Sequence, residues 1–186
     1  MSGPYRYLWL LRHAKTVTDP PPGGTDFDRV LAPRGRRDAT ALGQLFLGGA
    51  EKLVRPKAPF PELALVSPAA RTTATAQLAL DLLSQPPVTE LVPAFYNADP
   101  EDVMDHLRGL SAEVTSVMVV GHNPTAHSLA TGLISRDDKA GRALAERRGF
   151  PTCALGVYRF SVEQWSEVHG ASARLLGLLI PPFGEE

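Results

Sequence analysis

Two arginines and two histidines stand out in this chain because each follows directly on an apolar run. Residues 8–15 read Leu-Trp-Leu-Leu-Arg-His-Ala-Lys, and the apolar part stops at Arg12 and His13. Ser67-Pro68-Ala69-Ala70-Arg71 ends a second apolar segment, and Gly121-His122-Asn123-Pro124 ends a third, Val117-Met118-Val119-Val120. Arginine offers a planar fork of donors suited to a phosphoryl group, and a pair of histidines offers a nucleophile and a further donor. The chemistry these four residue types suit is phosphoryl transfer. Alone, Arg12-His13 reads as a strand followed by a solvated basic turn; the two later strand ends make it part of a site.

The elements that must position them follow from the patterning. A run such as Leu8-Trp9-Leu10-Leu11 fits an interior strand, because parallel strands covered on both faces lose their alternation. Residues 62–67 and 115–120 read the same way, and 88–96 is extended but interrupted by Pro93, which suits a sheet edge. Pro33 opens a helix that places Leu42, Leu45, Phe46, Gly49 and Leu53 at helical spacing. A second helix spans about 70–83, and Asp99-Pro100-Glu101-Asp102 has the form of a helix start. A further helix begins at Pro124, with Asn123 as its cap, and contains Leu129, Leu133 and Ile134. Residues 136–149 read as a surface helix or loop, and two strands, 153–160 and 174–180, complete the chain. Alternating strands and helices predict an α/β fold, a three-layer α/β/α sandwich with a mostly parallel central sheet. The last two strands lack a long helix between them, so at least one is expected to be antiparallel. In such sheets ligands bind at the carboxyl ends of the strands, where Arg12, His13, Arg71 and His122 converge. The loop over 18–25, with three successive prolines and two glycines, lies close to that end.

Composition sets the outer bounds. The 186 residues, 44% hydrophobic and 21% charged, suit one domain over residues 1–186 with a full core. A formal net charge of -1 gives no global field for nucleic acid or an anionic membrane, so anion binding must be local. The single cysteine, Cys153, cannot form an internal disulfide and reads as a buried small hydrophobe, which together suit a reducing cytoplasm. The polar Ser2 and Gly3, a short apolar run after them and no stretch of membrane-spanning length predict neither secretion nor membrane insertion. The clusters Arg34, Arg36, Arg37 and Arg142, Arg147, Arg148 read as solvated faces. Nothing in the sequence sets the oligomeric state.

The three motifs in order resemble the histidine phosphatase superfamily, and within it the phosphohistidine phosphatase branch of SixA. They are Leu11-Arg12-His13-Ala14-Lys15, Ser67-Pro68-Ala69-Ala70-Arg71 with Thr75-Ala76, and Val119-Val120-Gly121-His122-Asn123-Pro124. Asp28-Arg29-Val30-Leu31 before Pro33-Arg34-Gly35, and Phe150-Pro151-Thr152, extend the likeness over residues 8–180. The resemblance implies a phosphoglycerate mutase-like fold. It also implies a phosphatase in which His13 is the nucleophile and Arg12, Arg71 and His122 hold the phosphoryl oxygens, with no metal and no cofactor. Imidazole is nucleophilic when neutral, and fixed cationic donors stabilise charge on the transferring group. Lys15 and Arg29 are candidates to extend the anion pocket, and Asn123 to contribute at the phosphate as well as capping its helix.

The general acid that many members of the superfamily use is not legible. Glu90, Asp99, Glu101 and Asp102 are the nearest carboxylates in sequence, and capping and solvation account for all four. A phosphohistidine substrate, whose leaving imidazole departs readily when protonated, has less need of such an acid. The expected substrate is therefore protein phosphohistidine. A phosphatase for small phosphoesters such as sugar or nucleotide phosphates is the enzymatic alternative, and a non-catalytic phospholigand-binding module the alternative from another class.

Overall fold

The computed structural model describes residues 4–50 and 53–183, apart from the side chain of Arg147. Ser2, Gly3 and the Arg147 side chain, read above from sequence, lie outside the described residues. Six strands form one sheet: β1 (Arg6–Arg12), β2 (Leu63–Val66), β3 (Val88–Leu91), β4 (Ser116–Gly121), β5 (Leu155–Phe160) and β6 (Ala173–Leu179). Their spatial order is β3-β2-β4-β1-β5-β6. The β3-β2, β2-β4 and β4-β1 pairs are parallel, and β5 is antiparallel to both β1 and β6. The antiparallel member expected near the end of the chain is thus β5, and β3 lies at the edge, where Pro93 ends the extended run in a 3-10 turn over Pro93–Tyr96.

Five helices cover the sheet: α1 (Pro33–Leu47), α2 (Ala70–Leu80), α3 (Pro100–Arg108), α4 (Thr125–Gly132) and α5 (Lys139–Arg148). Two apolar clusters show how the layers divide. Trp9, Leu11, Ala64, Val66, Met118 and Val120 pack with Ala39, Leu42 and Phe46 of α1 and with Ala76, Ala79 and Leu80 of α2. Leu8, Leu10, Leu65, Val117 and Val119 face the opposite way, against α3, α4 and α5. Successive β1 residues therefore bury on opposite faces, which is why the segment carries no polar alternation. Trp9 is fully buried, its indole N–H donating to the Pro59 carbonyl at 3.1 Å and its ring edge-on to Phe46 and Phe60.

Three local expectations are corrected. Helix α1 stops at Leu47, short of Leu53, because Gly48 follows as its C-cap and Gly49 takes a left-handed φ of 111°. Leu133 and Ile134 lie beyond α4, where Ile134 instead bridges to Ala173 of β6. Asn123 is not the cap of α4: Pro124 occupies that position, with no side chain hydrogen-bonded to the first amides. No helix among the described residues is long and apolar enough to cross a membrane.

Candidate active site

Register brings the site together. Arg12 at the end of β1 pairs with Gly121 at the end of β4, and the His13 amide donates to the Gly121 carbonyl at 3.0 Å. The next residue along β4 is His122, so the two imidazoles emerge side by side, ring centroids 5.3 Å apart. Arg71 arrives in the first turn of α2, after β2, and its Nε donates to His122 Nδ1 at 3.2 Å. The three strand ends that suggested a site in the sequence do meet, and His13, His122 and Arg71 are all buried.

The backbone around His13 is fastened from three directions. Its carbonyl accepts from the Cys153 amide at 3.1 Å, and the following Ala14 amide donates to Thr75 Oγ1 of α2 at 3.0 Å. Beyond it, the Lys15 carbonyl accepts from Ala32 just before α1. His13 Nδ1 lies 2.8 Å from the Ala14 carbonyl oxygen. That oxygen can only accept, so Nδ1 carries the proton and Nε2 keeps the lone pair. The adjacent carbonyl is thus what fixes the tautomer. Burial, then the positive charges of Arg12, Arg71 and Arg29, bring the His13 pKa down to about 4, outweighing the Ala14 hydrogen bond; the ring is neutral at pH 7.

His122 is neutral for related reasons. Burial first, then Arg71 and His13, lower its pKa to about 3, against a small opposing effect of Asp26. Its Nδ1 accepts from Arg71, so the proton sits on Nε2, which donates to Ser67 Oγ at 2.7 Å. Both ring nitrogens are engaged, so His122 orients Arg71 and Ser67 in this arrangement. Arg12 sends Nη1 to the Phe150 carbonyl at 3.0 Å, while its Nε is buried with no partner among the described residues. The N–H groups left on its two terminal nitrogens are the donors an anionic guest can use.

Sequence reasoning missed Asp26. The loop that follows the prolines turns through Gly24, whose amide donates to the Pro21 carbonyl, into a 3-10 turn over Asp26–Asp28. There the Asp26 carbonyl accepts from Arg71 Nη1 at 2.6 Å and its carboxylate from Arg71 Nη2 at 2.9 Å. The same carboxylate accepts from the Tyr96 hydroxyl at 3.1 Å and from Arg29 Nη1 at 2.8 Å. The Arg29 hydrogen bond, more than the Arg71 charge, holds the Asp26 pKa down to about 2. Arg71 keeps one N–H on each terminal nitrogen for a further acceptor. Asp26 sits in a segment of turn residues, with no apolar run to place it; only its proximity in sequence to Arg29 hinted at a role.

The remaining candidates divide. Arg29 reaches the site's edge and spends four of its five N–H donors on Asp26, Thr16 and the Val17 carbonyl, which fastens the loop and leaves one N–H on Nη1. The Lys15 side chain is exposed and makes no hydrogen bond or ion pair among the described residues. Asn123 is exposed beside His122 on the wall of a cavity. Of the four carboxylates considered as acids, Asp99 and Asp102 form a capping box at the start of α3, Glu101 pairs with Arg108, and Glu90 lies exposed on β3. Cys153 is buried, and burial pushes its thiol pKa well up. Among the described residues no three His, Cys, Asp or Glu side chains gather as a metal site.

The chain matches no protein-family model. It is 34% identical to an uncharacterized protein of Mycobacterium tuberculosis over 173 residues, 92% of this chain and 99% of that one. Among solved structures, a SixA-type protein from Agrobacterium tumefaciens aligns at 30% identity with a TM-score of 0.75, covering 95% of this chain and 98% of that chain. A SixA-type protein from Nakamurella multipartitia aligns at 25% identity and a TM-score of 0.76, covering 96% and 97%. Likeness at this identity, running nearly end to end through both chains, means that the chain belongs to the histidine phosphatase superfamily, in its SixA phosphohistidine phosphatase branch.

Proposed function

We propose that this phosphatase removes the phosphoryl group from protein phosphohistidine through a covalent intermediate on His13. The observation that carries the reading is the tautomer of His13: a buried, neutral imidazole whose Nδ1–H is held by the Ala14 carbonyl and whose Nε2 keeps the lone pair. Nε2 attacks phosphorus, forming a P–N bond as the substrate's own P–N bond breaks and the protonated leaving imidazole takes the electron pair. Water then attacks the phosphorus on His13, returns the bond electrons to Nε2 and releases inorganic phosphate. Arg12 and Arg71, through the terminal N–H groups not spent on the Phe150 carbonyl and on Asp26, bind the phosphoryl oxygens as charge spreads over them.

The choice of phosphohistidine over a phosphoester rests on proton supply. An alkoxide leaving group needs a proton from the enzyme, whereas a protonated imidazole leaves as a neutral ring. Asp26, the carboxylate that reaches Arg71, is ionised at neutral pH and holds no proton to give. Labelled phosphate trapped on the enzyme during turnover of a phosphohistidine peptide tests the reading. Acid-labile label is expected on the wild type and none on His13→Ala; label that persists in the variant overturns the assignment. Rates on the same peptide against sugar and nucleotide phosphates test the substrate class, and faster turnover of the phosphoesters would reverse it.

A further inference from the structure

Behind His122 lies a cavity of about 400 Å³ that phosphoryl transfer does not use. Its walls are Phe95 from the turn before α3, Val103 of α3, Val119 of β4, and Ala126 and Leu129 of α4, all buried. His122 and Tyr96, which the active site also uses, are among its lining residues, the Tyr96 ring standing edge-on to His122 at 5.9 Å. A group placed there therefore lies beside the imidazole that holds Arg71. The volume is in the class that receives a ligand rather than that of a packing void.

The charges around it select what can enter. Asp99 is the only Asp, Glu, Lys or Arg among the lining residues, and His122 is neutral. Asp102 stands exposed beside Asp99 at the start of α3 and Glu101 is paired with Arg108, while Arg71 lies across the Tyr96 ring on the active-site side. A second phosphate or carboxylate inside the cavity would meet the Asp99 carboxylate, and no arginine or lysine is among the lining residues to offset it. An uncharged aliphatic side chain would bury against Phe95, Val103 and Leu129.

We propose that this cavity is the specificity pocket for the residue flanking the phosphorylated histidine, and that it takes an uncharged apolar side chain; this rests on the phosphohistidine reading of the site. The enzyme then discriminates among phosphohistidine segments by their neighbour, and it disfavours small substrates carrying a second anionic group.

Three substrates separate the pocket from the chemistry: a phosphohistidine peptide with leucine on both sides of the histidine, the same peptide with aspartate there, and phosphoramidate, which has nothing to reach the cavity. The wild type is expected to favour the leucine peptide in kcat/KM by about tenfold or more, the scale on which burial of one aliphatic side chain acts. Ser128→Trp, at an exposed wall position on α4, and Val103→Phe, from α3, each fill the cavity without touching the site. Either is expected to bring the ratio toward one with phosphoramidate turnover unchanged. Equal wild-type rates on the two peptides, or a preference that survives filling from both walls, overturns the pocket while leaving the phosphatase reading intact. Failure of the wild type on all three substrates instead removes the reading on which the pocket rests.

Discussion

Asp26 occupies two of the donors that Arg71 would offer a phosphoryl group under the proposed mechanism. Its carbonyl and carboxylate take one donor from each terminal nitrogen of the guanidinium, and the carboxylate stays charged because Arg29, Arg71 and Tyr96 all donate to it. A half-exposed ionised carboxylate 2.9 Å from Arg71 competes with any incoming anion for the same cation. Asp26→Asn removes the charge and keeps the shape, so inorganic phosphate should inhibit the variant more strongly. The gain expected is about two- to fivefold in the inhibition constant, in line with the worth of an exposed ion pair. Weaker phosphate inhibition would show that Asp26 serves to aim Arg71 rather than to compete for it. Sequence could not have exposed this residue. Arg12, His13, Arg71 and His122 were legible because each follows an apolar run that must be a strand, and strand ends share a rim. Asp26 comes from a loop of prolines and glycines whose path depends on where Phe27 finds Tyr96, ring centroids 5.0 Å apart, and no local spacing encodes that.

Among the elements, α1 closes directly on the backbone that follows His13, and a glycine makes this possible. A Cβ on Gly35 would stand 2.0 Å from the Lys15 carbonyl oxygen, two residues beyond His13. The first turn of α1 can close on the β1 loop only without a side chain at that position. Gly35→Ala is expected to force the two apart, lowering stability by about 2 kcal/mol, as overpacked cores do, and lowering activity with it. Gly132→Ala at the end of α4 is the matched control: nothing lies within 4 Å of its added Cβ, so urea unfolding should show no loss. Loss of stability in both variants, or in neither, would refute the close approach as the cause. The same contrast explains what the sequence revealed of the elements. Strands buried on both faces announced themselves by composition, and edge strand β3 by Pro93. The end of α1 at Gly48 and the capping of α4 by Pro124 were set by short-range backbone geometry that periodicity averages away. The reversed direction of β5 appeared only as the absence of a crossover helix before β6.

At the scale of the whole molecule, the fold holds two uncharged imidazoles where helices from both layers meet the sheet, and this links its stability to pH. The folded pKa values of His13 and His122 are about 4 and about 3, both below the ordinary value of 6.5 that they regain on unfolding. As pH falls below 6.5 the unfolded chain takes up two protons that the folded chain refuses until pH 4 and below. Stability from these groups is therefore complete above pH 6.5 and is lost as pH falls through 4 toward 3. Asp26, lowered from 3.8 to about 2 chiefly by Arg29, adds a further loss that begins only below about 3.8. The two contributions are separable above pH 3.8, where only the histidines act. Thermal unfolding should show a midpoint that declines steadily from pH 6.5 to 4, and a His13→Asn, His122→Gln double variant should flatten that decline while leaving the Asp26 part of the loss below pH 3.8. A wild-type midpoint that holds level from pH 6.5 to 4.5 would mean that the imidazoles are solvated and protonate freely. In that case His13 would be a cation below neutrality rather than the neutral nucleophile the site requires.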